Sequence, residues 1–514
     1  IRTCAAKSIG YAVQERLALA EDEEEADITA DGVNAEIGQL LVALQDAYRK
    51  WYISLDPEYD AFGIVVPGTQ NRQDIAATRV AVADSFLHLA PLLQTASQVK
   101  SLIAFLVHDR ALGERAESVR SHMLSAGAQA VAAHGSQWSG ELLPILEKFL
   151  SEPDEGTESY DYIREGVVVL LGRLAQHLPS GEEARVADAV DQLVATLATP
   201  SEAVQSAVSE CLPPLAKRLS EDKFGSVIDG IVEVLLNGER YSQRRGAAYG
   251  LSGLIKGRGL AALKKYAIID KLREACNNTK SFQQRQGSLF AFETLSGKMG
   301  RLFEPYIIQF LPLLLSRFSD ANADVREAAS DAARVIMANI SGHGVKLILP
   351  SALAGLSDDQ WRTKKGSVEV LGSMAYCAPK QLSVSLPTIV PRIIEVLTDT
   401  HHQVAAAARE ALLRFGEVIH NPEIQELVPV LLGALDDPAN KTDSALRTLL
   451  YTAFIHYIDA PSLALVVPII QRGMRARMAS TKRNASQIMG SMATLTDPKD
   501  LVPYLDSLVP LLRG

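Results

Sequence analysis

The sequence predicts an all-α solenoid, antiparallel helix pairs stacked at a period of roughly 40 residues. Three observations predict it. In "PYIIQFLPLLLSRFSDANADVREAASDAARVIM", Pro305 to Met337, the residues Ile307, Ile308, Leu311, Leu314, Leu315 and Phe318 share one helical face, and Val325, Ala328, Ala329, Ala332, Val335 and Ile336 share a second. Between them "SDANAD" supplies turn formers, with Asp324 or a neighbour placed to cap the second helix. The second helix then recurs: Arg79, Arg120, Arg164, Gln205, Arg244, Arg285, Arg326, Lys364, Val404, Asp443 and Arg483 fall in one column. Two residues on runs a column of small residues, Ala81, Gly166, Ala207, Gly246, Gly287, Ala328, Gly366, Ala406, Ala445 and Ala485, interrupted by His122. Helix pairs must approach closely to bury their apolar faces, and a bulky side chain at the crossing would hold them apart.

Two helices per unit at this period is the HEAT/armadillo class, and a right-handed superhelix is expected. At 514 residues and 47% hydrophobic, the chain is too long for one core, which rarely serves more than roughly 250 to 300 residues. The elements follow in order. Ile1 to Ala20 already has helical spacing, and the acidic run "EDEEEAD" at 21–27 reads as a solvated loop. Residues 54–73 and 151–162 break the period and read as long intra-repeat loops. Pro312, Pro350, Pro391, Pro429, Pro468 and Pro510 recur within first helices, where a missing N–H and a ring clash bend the helix. The closing "LVPYLDSLVPLLRG" is a first helix without a partner, so the chain is expected to be a piece of something longer, cut at both ends.

Charge divides the chain. Residues 1–237 carry 18 Lys+Arg against 36 Asp+Glu, a net of −18, and residues 238–514 carry 33 against 25, a net of +8. The expected organisation is an acidic block of repeats at 1–236 and a block with basic turns at 237–514.

Catalytic signatures come close and fail. "GIVVPGT", Gly63 to Thr69, has P-loop glycine spacing but places Thr69 where the phosphate-binding Lys belongs. "GRGLAA", Gly257 to Ala262, matches G-x-G-x-x-A but follows a helix instead of a strand. His401 and His402 are adjacent and cannot share a helical face as metal ligands, and no G-x-S-x-G elbow occurs. The chain is expected to be no enzyme and to hold no metal or cofactor. Four cysteines, at 4, 211, 276 and 377, lack zinc or redox spacing, and their scarcity fits a reducing cytosol. No signal peptide is expected from the opening residues, and no apolar run reaches the roughly 18 residues of a membrane span. A cytoplasmic location is expected.

The basic residues carry the functional reading. A column cation is expected to pair with an Asp of the preceding turn, Asp320 with Arg326, and Asp358 or Asp359 with Lys364. Two turns lack such an Asp. One is in "GERYSQRRGAAYGLSGLIKGRG", Gly238 to Gly259, and leaves Arg240, Arg244, Arg245, Lys256, Arg258, Lys264 and Lys265 as one unpaired group. The other, "RGMRARMASTK", leaves Arg472, Arg475, Arg477, Lys482 and Arg483 as a second. Such turns make a discontinuous positive stripe suited to RNA phosphates. Only Tyr241 and Tyr249 are near for stacking, so shape and phosphate recognition is expected over base readout. Ordinary solvated cations are the alternative. Gly246, Gly250 and Gly253 read as packing contacts on one helix face.

"GERYSQRRGAAYGLSGLIKGRG", "LLLSRFSDANADVREAASDAARVIM", "LSDDQWRTKKGSVEVLGSMAYCAPKQLS" and "IDAPSLALVVPIIQRGM" closely resemble the family of the general control nonderepressible translational activator, a very large HEAT-repeat protein. From about Asp459 onward the chain is also similar to the HEAT region of fungal elongation factor three, and the whole block at 237–514 is expected to be elongation-factor-three-like HEAT repeats. The resemblance implies a cytoplasmic scaffold that engages stalled or collided ribosomes, joins an ABC-type ATPase partner and promotes activation of the initiation factor two kinase. It implies ribosome contact by Arg244, Arg245, Lys256, Arg258, Arg472, Arg475, Lys482 and Arg483, and a kinase-binding segment beyond the matched region. "THHQVAAAA" departs from the family, which often carries Lys there. A nuclear transport receptor and a phosphatase scaffold are the rival readings. Trp51, Trp138 and Trp361 do not recur at the period, unlike the Trp positions of an armadillo cargo groove.

Overall fold

The computed structural model describes all residues except 1, 22–29, 53–59, 70–75, 154–155 and 514. Among the described residues the chain is helices and turns with no β-strand, in two compact units, Ile1–Tyr266 and Ala267–Gly514. The first holds α1 (Arg2–Glu21), α2 (Ala30–Trp51), α3 (Ala76–Leu89), α4 (Ala96–His108), α5 (Glu117–Ser151), α6 (Glu158–Gln176), α7 (Glu183–Thr196), α8 (Glu202–Ala216), α9 (Glu221–Asn237), α10 (Tyr241–Arg258) and α11 (Ala261–Lys265). The second holds α12 (Ile268–Asn277), α13 (Phe282–Met299), α14 (Glu304–Arg317), α15 (Ala323–Asn339), α16 (Gly342–Gly355), α17 (Trp361–Cys377), α18 (Pro379–Val396), α19 (His402–Glu417), α20 (Pro422–Asp436), α21 (Pro438–Tyr451), α22 (Ala460–Met474), α23 (Ala479–Ala493) and α24 (Pro498–Arg513). The expected helix pairs are these, α14 with α15, α16 with α17, and so on.

Local chemistry starts the helices where the turns predict. Asn322, not Asp324, caps α15, its side-chain Oδ1 accepting the N–H groups of Asp324 and Val325. Ser220, Ser281, Ser341, Asn421, Asp437 and Asp459 cap first or second helices in the same way. The recurrent prolines all sit inside first helices. Helix α5 is a second helix running into the next first helix, joined at Trp138, whose φ of −122° and ψ of 21° interrupt the helical backbone. The expected loop at 151–162 is shorter: Thr157 accepts the Tyr160 N–H and α6 begins at Glu158. The loop expected at 54–73 lies partly, and the acidic run at 21–27 almost wholly, outside the described residues.

Each helix pair buries its facing stripes, with Phe86, Phe224, Phe292, Phe310 and Phe415 fully buried and Phe292 stacked on Phe310 at 3.5 Å. The small column does what the pattern demands. A Cβ on Gly246 would lie 1.9 Å from the Leu197 carbonyl oxygen, and one on Gly253 2.6 Å from that of Ser209. No rotamer change relieves contact with backbone, so α10 approaches α8 and the end of α7 only because these residues are glycine. Ala328, Ala445 and Ala485 are buried likewise, while Ala406 is exposed and does not serve the crossing.

The column cations do two jobs. Three reach forward by 35 residues into the next turn: Arg79 Nε donates to Glu114 at 2.8 Å, Arg285 Nε to Asp320 at 2.7 Å, and Lys364 Nζ to Asp399 at 2.9 Å. Three others staple their own turn by donating to the carbonyls six and five residues back: Arg120 to Glu114 and Arg115, Arg244 to Gly238 and Glu239, Arg326 to Asp320 and Ala321. The expected pairing therefore has the wrong register. Asp320 gives its carboxylate to Arg285 and only its backbone carbonyl to Arg326, and Lys364 pairs with Asp399, not with Asp358 or Asp359.

Candidate nucleic-acid interface

The α9–α10 turn is not a set of unpaired cations. Arg244 is only 3% exposed, its guanidinium 2.8 Å from the Gly238 carbonyl and 2.9 Å from that of Glu239. It is a buried turn staple and cannot reach a phosphate. Arg245 pairs with Glu202 at 3.0 Å, and the Tyr249 hydroxyl donates to the same carboxylate at 2.6 Å. These bonds, Tyr249 first, hold the Glu202 carboxyl below the usual range. Arg258 donates to the Leu219 carbonyl at 2.6 Å, lies 4.8 Å from the Phe224 ring and faces Glu221 at 3.9 Å. Lys265 pairs with Glu221 at 2.6 Å, and Lys256 faces Glu210 at 3.8 Å. Of this basic group, only Arg240 and Lys264 are exposed with no ion pair to another described residue.

The physical reason is the stacking. Glu202, Glu210 and Glu221 belong to α8 and α9, so the acids that answer the first basic group come from neighbouring helices, not from the turn. The expectation that Arg244, Arg245, Lys256, Arg258 and Lys265 lack partners is corrected accordingly. Part of the acidic half's charge balances these cations.

The α22–α23 turn differs. Met474 ends α22, Ala479 begins α23, and no Asp or Glu occurs from 460 to 496. Arg475, Arg477, Lys482 and Arg483 are exposed, and no ion pair holds them among the described residues. Arg472 is half-buried, donates to the Ala434 carbonyl at 3.3 Å and has its pKa lowered by burial. An open cleft of about 540 Å³ lies beside the turn, lined by Pro438, Thr442, Asp443, Arg472, Arg477 and Thr481 among others. Its carboxylate, Asp443, is engaged by the Thr481 hydroxyl at 3.0 Å and by Arg447 at 2.8 Å. Arg475 and Arg477 on the turn, with Lys482 and Arg483 at the start of α23, can each contact a phosphate oxygen.

Sequence reading missed an aromatic stack in the second unit. The Trp361 and His401 rings lie 3.7 Å apart and nearly parallel, His402 continues the stack at 5.2 Å, and the Arg362 guanidinium lies 4.5 Å from the Trp361 ring. The signal was the repeat register itself, which sets the start of α17 beside the start of α19. Among the described residues no three His, Cys, Asp or Glu side chains gather as a metal would require, and no helix is long and apolar enough to cross a membrane.

Three family models match the chain: "Stalled ribosome sensor GCN1, HEAT repeats" at 20–176, "EF3 N-terminal HEAT repeat" at 244–412 and "Elongation factor 3/GNC1 HEAT repeat" at 440–514. Human stalled ribosome sensor GCN1 is 46% identical over 479 residues, 93% of this chain and 18% of that protein. The chain belongs to the GCN1 family. The eIF-2-alpha kinase activator GCN1 of Saccharomyces cerevisiae is 44% identical over 468 residues, 91% of this chain and 17% of that protein. The chain thus spans less than a fifth of the length of these relatives. Among solved structures, Kap121p bound to Nup53p aligns with a TM-score of 0.45 at 12% identity, over 97% of this chain and 54% of that one. At that level the likeness carries nothing about function. The elongation-factor-three likeness begins at 244, ahead of Asp459 and within the block expected at 237–514.

Proposed function

We propose that this HEAT-repeat stretch is a ribosome-binding scaffold that docks on ribosomal RNA phosphates through the α22–α23 turn. The single observation that carries the proposal is the exposed, acid-free set Arg475, Arg477, Lys482 and Arg483. It falls within the segment that matches the elongation factor 3/GNC1 repeats. The names of the human and yeast relatives, a stalled ribosome sensor and a kinase activator, support the same reading. In the whole protein the scaffold promotes activation of the initiation factor two kinase in the cytoplasm, alongside an ABC-type ATPase partner that does the hydrolysis this chain does not. Arg240 and Lys264 form a minor second contact, and Arg244 acts only by holding its turn.

Co-sedimentation with ribosomes across a salt series tests this. Replacing Arg475, Arg477, Lys482 and Arg483 with Ala should weaken binding and reduce the salt slope by roughly one per lost phosphate contact. Unchanged affinity and slope would remove the turn from the interface. Capture of a Ran-type GTPase or a phosphatase catalytic subunit, with no ribosomal protein, would replace the reading altogether.

A further inference from the structure

The turn that carries the free cations also presents one hydroxyl in a defined relation to them. Ser480 follows Arg477 by three residues and Arg475 by five, in "RARMAS". It is exposed, and among the described residues its hydroxyl has no hydrogen-bond partner. Both arginines are exposed and, among the described residues, held by no carboxylate. A guanidinium is the side chain best matched to a carboxylate by paired, charge-assisted hydrogen bonds, so an acidic substrate groove would select arginines at fixed distances from its acceptor. Residues 475–478 lie outside helix, and Ser480 is the second residue of α23, in the turn that frays most readily.

The neighbouring hydroxyls fail the same criteria. Thr481 is buried, and its hydroxyl donates to Asp443 at 3.0 Å. Ser486 follows Arg483 by three residues, but it lies deeper in α23 and its hydroxyl donates to the Lys482 carbonyl at 3.0 Å. Ser220 follows a Lys-Arg pair, yet its hydroxyl caps α9, and Arg218 is spent on the carbonyls of Ala175, Gln176 and Pro179.

We propose that Ser480 is a phosphorylation site for an arginine-directed protein kinase and that its phosphate discharges the basic turn. The Ser480 hydroxyl oxygen attacks the γ-phosphorus of ATP. A new Oγ–P bond forms as the bond to the β-phosphate bridging oxygen breaks, ADP leaves, and the hydroxyl proton passes to the kinase's base. The product brings roughly −1.5 to −2 of charge at neutral pH to a turn with no acid of its own. The Arg475 and Arg477 side chains that recruited the kinase are then available to the new phosphate and withdrawn from RNA. That last consequence rests on the ribosome reading above; the modification itself does not.

The test incubates the folded 514-residue chain with Mg-ATP and a kinase selective for arginine at these two positions, then maps phosphate by mass spectrometry. Phosphate should appear at Ser480, vanish in Ser480→Ala, persist in Ser486→Ala, and fall about tenfold or more in Arg475→Ala/Arg477→Ala, the loss of charge-assisted recognition bonds. All four positions are exposed, and circular dichroism of each variant confirms the fold. Phosphate mapped to Ser486 or Ser220, or incorporation indifferent to the two arginines, overturns the site. No incorporation into the chain, with ready incorporation into a peptide spanning 473–486, also overturns it, because the folded turn then withholds the acceptor. Phosphorylated chain is finally co-sedimented with ribosomes beside the four-Ala variant. Lost binding in both supports the whole proposal. Lost binding in the variant but not in the phosphorylated chain overturns the discharge step, and unchanged binding in both overturns the ribosome reading while Ser480 stands.

Discussion

Replacing Arg285 with Ala breaks the most complete rung of the forward-reaching ladder. Its Nε and Nη2 donate to the two oxygens of Asp320 at 2.7 and 2.9 Å, its Nη1 donates to the Asn278 carbonyl at 2.7 Å, and the paired side chains are 8% and 3% exposed. Removing one partner of a buried pair strands the other, at a cost of about 3 to 5 kcal/mol. Here Asp320 keeps the Asn322 N–H at 3.0 Å and Arg317 at 3.4 Å, which points to the lower end, about 3 kcal/mol. Lys364→Ala leaves Asp399 at a rung where the lysine is 25% exposed, and about 1 kcal/mol is expected there. Urea unfolding gives the totals and hydrogen exchange gives the place. In a solenoid each repeat is held mainly by its neighbours, so exchange should rise in α13 to α15 and stay unchanged in α21 to α23. A loss under about 1 kcal/mol for Arg285→Ala, or exchange raised equally throughout, would refute the claim that the rung couples adjacent repeats.

Gly246→Ala should destabilise by about 1 to 3 kcal/mol, because its methyl meets the Leu197 backbone, whereas Gly230→Ala, with nothing within 4 Å, should be neutral or stabilise by about 0.5 to 1 kcal/mol; thermal melts compare them. Acid should weaken the second unit in a defined window. Burial alone would raise the Asp320 carboxyl, but the bonds from Arg285 and the Asn322 N–H outweigh it, and the His401 N–H and then Lys364 lower Asp399. Both sit below the ordinary 3.8, so their stabilisation is complete above that pH and is lost as pH falls from it through the lower folded values. Urea midpoints should drop there, and less steeply in Asp320→Asn/Asp399→Asn. Cys211 and Cys276 are buried, with thiols pushed up to about 12 and about 11, so neither should react with a thiol reagent until urea opens the repeats, as read by peptide mass spectrometry.

The helices were legible because their signals are local. Apolar spacing from Ile307 to Phe318 and the "SDANAD" turn lie within one unit, and the glycines of α10 announced a close approach that Gly246 makes. The ladder was legible only in half. Arg285, Arg326 and Lys364 stand out as a column, but their partners are set by stacking, one repeat ahead at Asp320 and Asp399 or on turn carbonyls, and a scan of each cation's own turn picks the wrong acid. The same error made Arg245 and Lys265 look unpaired when Glu202 and Glu221 lay on packed helices. At the α22–α23 turn the local reading of Arg475, Arg477, Lys482 and Arg483 as unpaired agrees with the described residues, because the acid-free stretch from 460 to 496 covers the adjoining helices as well. Trp361 against His401 was illegible without the register that brings two turns together.

The most direct test of the docking surface is the reactivity of single lysines on the ribosome. Lys482 and Lys256 are both exposed, one on the acid-free turn and the other facing Glu210 at 3.8 Å in the first unit. The chain is acylated free and ribosome-bound, and each lysine is read by mass spectrometry. Strong protection of Lys482, with Lys256 unchanged, is the predicted result; Lys482 modified equally in both states, or protection confined to Lys256, would contradict it.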